Sequence, residues 1–311
     1  MSFSSNGAET IQFFQRFKDQ VFRQKKQKDQ ARASLNWFSV DFRGVHKMSV
    51  PVAVVLAAEM HRWRLNSGAP LRADKPSRWQ PHIRGMLDNL GVFSLLDIQL
   101  REHYAPQSEL TLLTLKSGEK RDGAAVAELQ TWIRSMGYAF EAKKSLFGAL
   151  DEAMMNCLDH GYINIDGHEP RYPYAGHRWW ATSCIDLRNG SLRFFVYDQG
   201  IGIPACIPTN DDFWGRIKAR FPSLESDAAR IEAAFEVGRT RTGQGERGKG
   251  LNKMWEAIKL ANAGYIRVLS GKGDVTLTPT GVLKKIEHSA HIGGTLVEWS
   301  IPVEALQSND S

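Results

Sequence analysis

Apolar and polar positions along this chain recur with two different periods, and the switches between them mark out its elements. From residue 9, "ETIQFFQRFKDQVFRQKKQKDQARAS" sets Ile11, Phe14, Phe17, Val21 and Phe22 at helical spacing before the pattern fades into Lys, Arg and Gln. That predicts a basic helix within residues 1–34 whose far end is solvated. Leu35 to Phe42 then reads as a strand, and the apolar run from Val50 to Leu65 as a helix. Ser49 ahead of Val50-Pro51 is placed as an N-cap with proline in the first turn, and "NSG" ending at Gly68 as the stop. "PHIRGMLDNLGVFSLLDI" repeats the style, with Gly91 as C-cap, so residues 35–105 read as a small α/β module.

A second domain is expected over residues 106–311. "ELTLLTLKSG" reads as a strand, "DGAAVAELQTWIRSMG" as a helix stopped by Gly137, and "EAKKSLFGALDEAMMNCLDHGY" as a longer helix. On that helix Leu146, Leu150, Met154, Cys157 and Leu158 share an apolar face, while Glu152, Asn156, Asp159 and His160 share a polar one. Asn189-Gly190 predicts a hairpin whose second strand, "SLRFFVYD", ends on Asp198. After a segment at 209–247 that reads as a lid, "GQGERGKGLNKMWEAIKLANAG" runs from a glycine-rich loop into an amphipathic helix. Leu251, Met254, Trp255 and Ile258 mark its buried face and Gly264 its end. "AHIGGTLVEWSIPV" reads as a final strand in which Thr295 follows two glycines.

Composition narrows the class. With 42% apolar and 24% charged residues over 311 positions, the chain has enough apolar content for a core. No apolar run approaches the ~18 residues of a membrane helix, and Cys157, Cys184 and Cys206 lack metal-ligand spacing. A cytoplasmic protein without disulfides or a membrane segment is therefore expected. The net charge of +6 is dispersed among acidic residues, which points to solubility rather than to nucleic acid.

Candidate chemistry sits in two glycine-rich stretches. In "DQGIGIP" a phosphate would repel Asp198, so its carboxylate suits a hydrogen-bond donor such as the exocyclic amine of an adenine, with Gly200 and Gly202 turning the backbone tightly beside it. On these seven residues alone, a plain hairpin turn accounts for the pattern too. The second stretch, Gly243 to Gly250, opens directly into a helix, where free N–H groups and the helix dipole favour anions. It is neither the Walker form nor the dinucleotide fingerprint.

The order of these features is more specific than any one of them: Glu-x-x-x-Asn on a helix, Asp-x-Gly-x-Gly, Gly-x-x-Gly-x-Gly-Leu opening a helix, then Gly-Thr in a late strand. Residues 106–303 thereby resemble the GHKL ATPase superfamily of gyrase, certain heat-shock chaperones, histidine kinases and mismatch-repair ATPases. "DEAMMNCLDHGY" is especially similar to the serine kinases that act as anti-sigma factors. Residues 35–105 resemble the STAS domain of anti-sigma-factor antagonists, in whose phosphorylated members a serine stands near the position of Ser49. The resemblance implies a STAS-like α/β module followed by a two-layer α/β sandwich with a mixed sheet. It implies ATP and magnesium as ligands. Asp198 would accept the adenine amine with Thr295 supporting it, Asn156 would ligate magnesium, and Glu152 would serve as general base. Asp159 and His160 stand where they would assist at the metal or phosphates. Gly245, Gly248 and Gly250, followed by Leu251, would wrap the triphosphate, with Arg247 and Lys249 supplying charge. Two functions follow as expectations: an ATPase or protein serine kinase, or a nucleotide-controlled binding switch with little turnover. The expected partner is a STAS- or sigma-related regulator or another effector protein, with a homodimer as a further option. A gyrase-like role lacks a following transducer domain, and a sensor histidine kinase lacks its phosphoacceptor motif.

Overall fold

The central strands of this protein, over 179–186, 191–198, 265–270 and 295–302, are buried on both faces, whereas the edge strand 281–287 is exposed. The computed structural model describes residues 1–31, 38–67, 71–95, 109–135, 143–164, 172–206, 224–240 and 250–306. Its elements run α1 (Gly7–Ala31), β1 (Phe38–Val40), α2 (Val50–Ser67), β2 (Leu71–Ala73), α3 (Pro81–Asn89), α4 (Val92–Leu95), β3 (Leu110–Leu112), β4 (Lys116–Gly118), α5 (Gly123–Ser135) and α6 (Lys143–Asn156). A π-helical turn, Cys157–Gly161, follows. Then come β5 (Trp179–Asp186), β6 (Ser191–Asp198), α7 (Ile203–Cys206), α8 (Asp227–Thr240), α9 (Gly250–Ala261), β7 (Tyr265–Ser270), β8 (Gly273–Thr278), β9 (Gly281–Glu287) and β10 (Thr295–Pro302).

Eight strands form one sheet in the order β3-β5-β6-β10-β7-β8-β9, with β4 also paired to β5. Every pairing in it is antiparallel. The mixed sheet expected from the resemblance is thus corrected to an antiparallel one: hairpins join β5 to β6, β7 to β8 and β8 to β9, and a hairpin reverses direction at each step. Gly190 makes the first of these turns at φ +56°, as its sequence predicts.

Along β6, Phe194 and Val196 face one core while Phe195 and Tyr197 face another. The first core is closed by α5, α6, α8 and α9. The second is closed by the N-terminal segment, through Ile11 and Phe14 of α1, ten residues of α2 between Val50 and Trp63, and Ile83 and Leu87 of α3. Residues 106–303 thus make two layers, helices on one face of the sheet, and the N-terminal residues add a third layer on the other face. Residues 38–95 contribute only two three-residue strands, paired in parallel, too little sheet to bury their own helices. The run Val50–Ala58 is apolar around the whole helix, so this part of α2 has no solvent face to offer and lies against the large sheet. The described part of the expected STAS-like module therefore shares its core with the sheet instead of closing one of its own.

The N-terminus is pinned as well. Buried Arg267 donates to Asp274 at 2.6 Å, to the Phe3 carbonyl at 2.9 Å and to Ser4 at 2.8 Å. Burial opposes a charge on Asp274, yet the donors Arg267 and His288 hold its carboxyl below the ordinary value. Among the described residues, no helix is long and apolar enough to cross a membrane.

Part of the expected lid is helix. Ala228, Ile231 and Phe235 on α8 are buried against the sheet, and Glu287 accepts from the N–H groups of Asp227 and Ala228 at its start. The apolar spacing i, i+3, i+7 in "DAARIEAAF" is what anchors it. The rest of the expected lid, 209–223 and 241–247, lies outside the described residues.

Candidate functional site

Strand register brings the first candidates together. Asp198 is the last residue of β6, and its cross-strand neighbours are Trp179 on β5 and Thr295 on β10, with Ser270 of β7 beyond Thr295. These four form one row at one end of the sheet. Because Phe194 and Val196 face the layer of α6 and α9, the period of two puts Asp198 on that face too, and the same count from Val297 and Val268 puts Thr295 and Ser270 there.

The Asp198 side chain is buried, 4% exposed, and well supplied with donors. The Gly200 N–H lies 2.8 Å from Oδ1, and the Thr295 N–H and the Cys157 thiol also donate to the carboxylate. A carboxylate accepts at about four positions, so this one retains room for a further donor. Burial pushes its pKa up to about 6, against the downward pull of those three hydrogen bonds.

Both glycines of the motif are required by space. A Cβ on Gly200 would lie 1.9 Å from the Gly161 carbonyl oxygen, which accepts from the Ile201 N–H at 2.7 Å. Gly202 has φ +86° and faces Ser270 Oγ, which also receives the Ile203 N–H at 2.9 Å and meets Thr295 Oγ1 at 2.8 Å. The Gly293-Gly294 turn ahead of Thr295 is equally close, since a Cβ on Gly294 would lie 1.9 Å from the Asp198 carbonyl oxygen. This motif is therefore more than a hairpin signature: its turn docks on the end of α6 and on two neighbouring strands.

Asn156 ends α6, and the chain then widens into the π turn Cys157–Gly161 that meets the Asp198 loop. Such insertions concentrate at functional sites. The Asn156 side chain is half-buried, and its amide makes no hydrogen bond among the described residues, which leaves its oxygen available. Asp159 and His160, on the π turn, are exposed. Glu152 is not free as expected of a lone base: Lys253 of α9 donates to its Oε2 at 2.8 Å. Its neighbour Asp151 is ion-paired with Arg121. Leu251 is half-buried and packs on the core beside α6 and α9. Gly250 opens α9, as the sequence predicts, while Gly245, Arg247, Gly248 and Lys249 lie outside the described residues.

Three sets of groups around Asp198, a phenol, two thiols and a hydroxyl, were given no part in the site from the sequence. Tyr162 receives the Gln199 N–H at 3.1 Å and donates to the Arg178 carbonyl, so it steadies the loop. Burial, then the nearby Asp198 charge, pushes its phenol well above the ordinary value. Cys157 is likewise pushed up, and Cys206 to about 12, by burial first and Asp198 second. Both thiols stay protonated near neutral pH and are poor nucleophiles. Ser270 is the third, and only its strand-end position before Gly271 hints at it. Ser49 does stand at the N-cap of α2, accepting the Ala53 N–H on its carbonyl at 3.0 Å, but its hydroxyl has no partner among the described residues.

Among the described residues, no group of three or more His, Cys, Asp and Glu side chains is arranged to hold a metal ion. No protein-family model matches the chain, and no curated protein matches it.

Proposed function

We propose that residues 106–303 bind ATP in the manner of the GHKL superfamily and hydrolyse it or pass its terminal phosphate to a protein, coupling nucleotide state to a partner. The observation that carries this reading is the buried carboxylate of Asp198. It is raised to about 6 by desolvation, retains an accepting position, and is framed by Thr295, Gly200 and Gly202 at the end of the Asn156 helix. A structural turn would use the Gly200 N–H bond; what supports a ligand is that the carboxylate is buried against two neighbouring strands, where its charge costs free energy unless further donors meet it.

In this reading the adenine amine donates to Asp198. The loop 243–250 holds the phosphates at the start of α9. Asn156 supplies a hard oxygen to magnesium, which fits an ion that takes one or two protein oxygens together with substrate phosphates. Magnesium would neutralise charge developing on the transferred phosphate. Glu152 acts on the attacking water or hydroxyl. The partner is a STAS- or sigma-related regulator or another protein effector.

The Glu152–Lys253 pair favours a second reading, a nucleotide-controlled binding switch, because the lysine occupies a carboxylate oxygen that a base would turn to the attacking water. Titration calorimetry with Mg-ATP, followed by release or transfer of radiolabelled γ-phosphate with and without candidate partners, tests both. Binding without any phosphate movement selects the switch; absence of ATP binding rejects both readings.

A further inference from the structure

Side chains of the N-terminal helices reach the loops that frame Asp198. Glu59 of α2 is buried, and its Oε1 receives Arg62 at 2.9 Å and the Gln199 side-chain amide at 3.3 Å. Lys18 of α1 is equally buried, 4.0 Å from the same oxygen, and its ammonium donates to the Ile292 carbonyl at 2.5 Å. Tyr197 lies 3.4 Å from Glu59 and donates to the Gly293 carbonyl at 2.8 Å.

Gln199 sits between Asp198 and Gly200, and Ile292 and Gly293 lead into Thr295. The cluster thus grips both base-recognition loops, from the layer opposite to α6. The packing is direct: a Cβ on Gly293 would lie 2.6 Å from the Lys18 ammonium, and the next residue, Gly294, touches the Asp198 backbone.

Stability alone does not account for these charges. A buried ion pair replaced by apolar side chains of similar volume is often neutral or stabilising. Nor is the cluster arranged for its own satisfaction, since Gln199 Oε1 and Arg62 Nε are buried without partners among the described residues. We infer that Lys18, Glu59 and Arg62 are positioning residues for nucleotide recognition. They hold the Gln199 and Gly293 loops so that Asp198 and Thr295 meet the base edge, and they make the N-terminal helices part of the site's specificity.

This rests on the proposed ATP site, and its test separates the two. The probes are Mg-ATP and Mg-inosine triphosphate, which carries a carbonyl oxygen where adenine has its amine. The full-length protein should prefer ATP by at least about tenfold. The variant Lys18→Met/Glu59→Met/Arg62→Leu should keep its fold by circular dichroism and bind inosine triphosphate as before, while its preference for ATP falls at least about fivefold. A folded variant with an unchanged preference overturns the inference and leaves the ATP site standing. A parent protein that shows no preference for ATP overturns both. Should the triple variant not fold, Lys18→Met alone, which leaves Glu59 paired with Arg62, is measured by the same ratio: a reduced preference for ATP supports the inference, and an unchanged one overturns it.

Discussion

Replacing Asp198 by asparagine should separate the cost of the site from its use. In the fold its carboxyl titrates near 6, against an ordinary value of 3.8. A difference of about two pH units at about 1.36 kcal/mol each makes ionisation in the fold cost about 3 kcal/mol at pH 7. The sign follows from the upward direction: the contribution to stability is greatest below 3.8 and is lost as pH rises through 6. Asparagine escapes that cost, but its NH2 must face a donor, either the Gly200 N–H at 2.8 Å or the Thr295 N–H, a mismatch of about 1–3 kcal/mol. The terms nearly cancel, so Asp198→Asn should unfold in urea within about 2 kcal/mol of the parent at pH 7. At pH 5 the comparison should move by about 1 kcal/mol in the parent's favour. Binding has no such compensation: losing a charge-assisted acceptor for the base amine should weaken ATP by about 2–4 kcal/mol, roughly 30-fold or more in Kd. The parent's own affinity should weaken as pH falls through about 6, and the variant's should not. A variant less stable by more than about 4 kcal/mol at both pH values, or one that binds ATP like the parent, would refute the reasoning.

Gly200→Ala should be worse for the fold, because its methyl meets the Gly161 carbonyl at 1.9 Å and the loop must move by more than about 1 Å; we expect a stability loss of about 1–3 kcal/mol by thermal unfolding, with ATP binding at least tenfold weaker. Glu152→Ala leaves the Asp198 row intact, so titration should show ATP affinity near that of the parent while phosphate release or transfer falls by about a hundredfold or more. Equal turnover in that variant excludes Glu152 as the base. Arg267→Met strands the buried Asp274 carboxylate and should cost about 3–5 kcal/mol in urea denaturation. Because the Asp274 carboxyl is held low, the parent's advantage should shrink as pH falls below 3.8.

What the sequence determined was local. Periodicity and end signals placed α3 with Gly91 behind it, the Asn189-Gly190 hairpin, α6 and α9, because caps, turns and amphipathic faces depend on residues within a few positions of one another. It also marked Asp198, Gly200, Gly202 and Thr295, since glycine is forced wherever backbones touch. Only the tertiary structure decided which backbones those were: that Gly200 meets Gly161, that Thr295 stands beside Asp198, that Lys253 pairs with Glu152, and that Ser270 completes the row while Tyr162 steadies its loop. None of these partners lies near the other in sequence, and register is fixed by the packing of both sheet faces at once. The N-terminal layer shows the limit most clearly. The run Val50–Ala58 announces burial but not against what, and nothing in the sequence marks Lys18, Glu59 and Arg62 as buried, which they become when a sheet from the other end of the chain encloses them, since burial is a property of the assembled layers and not of the segment.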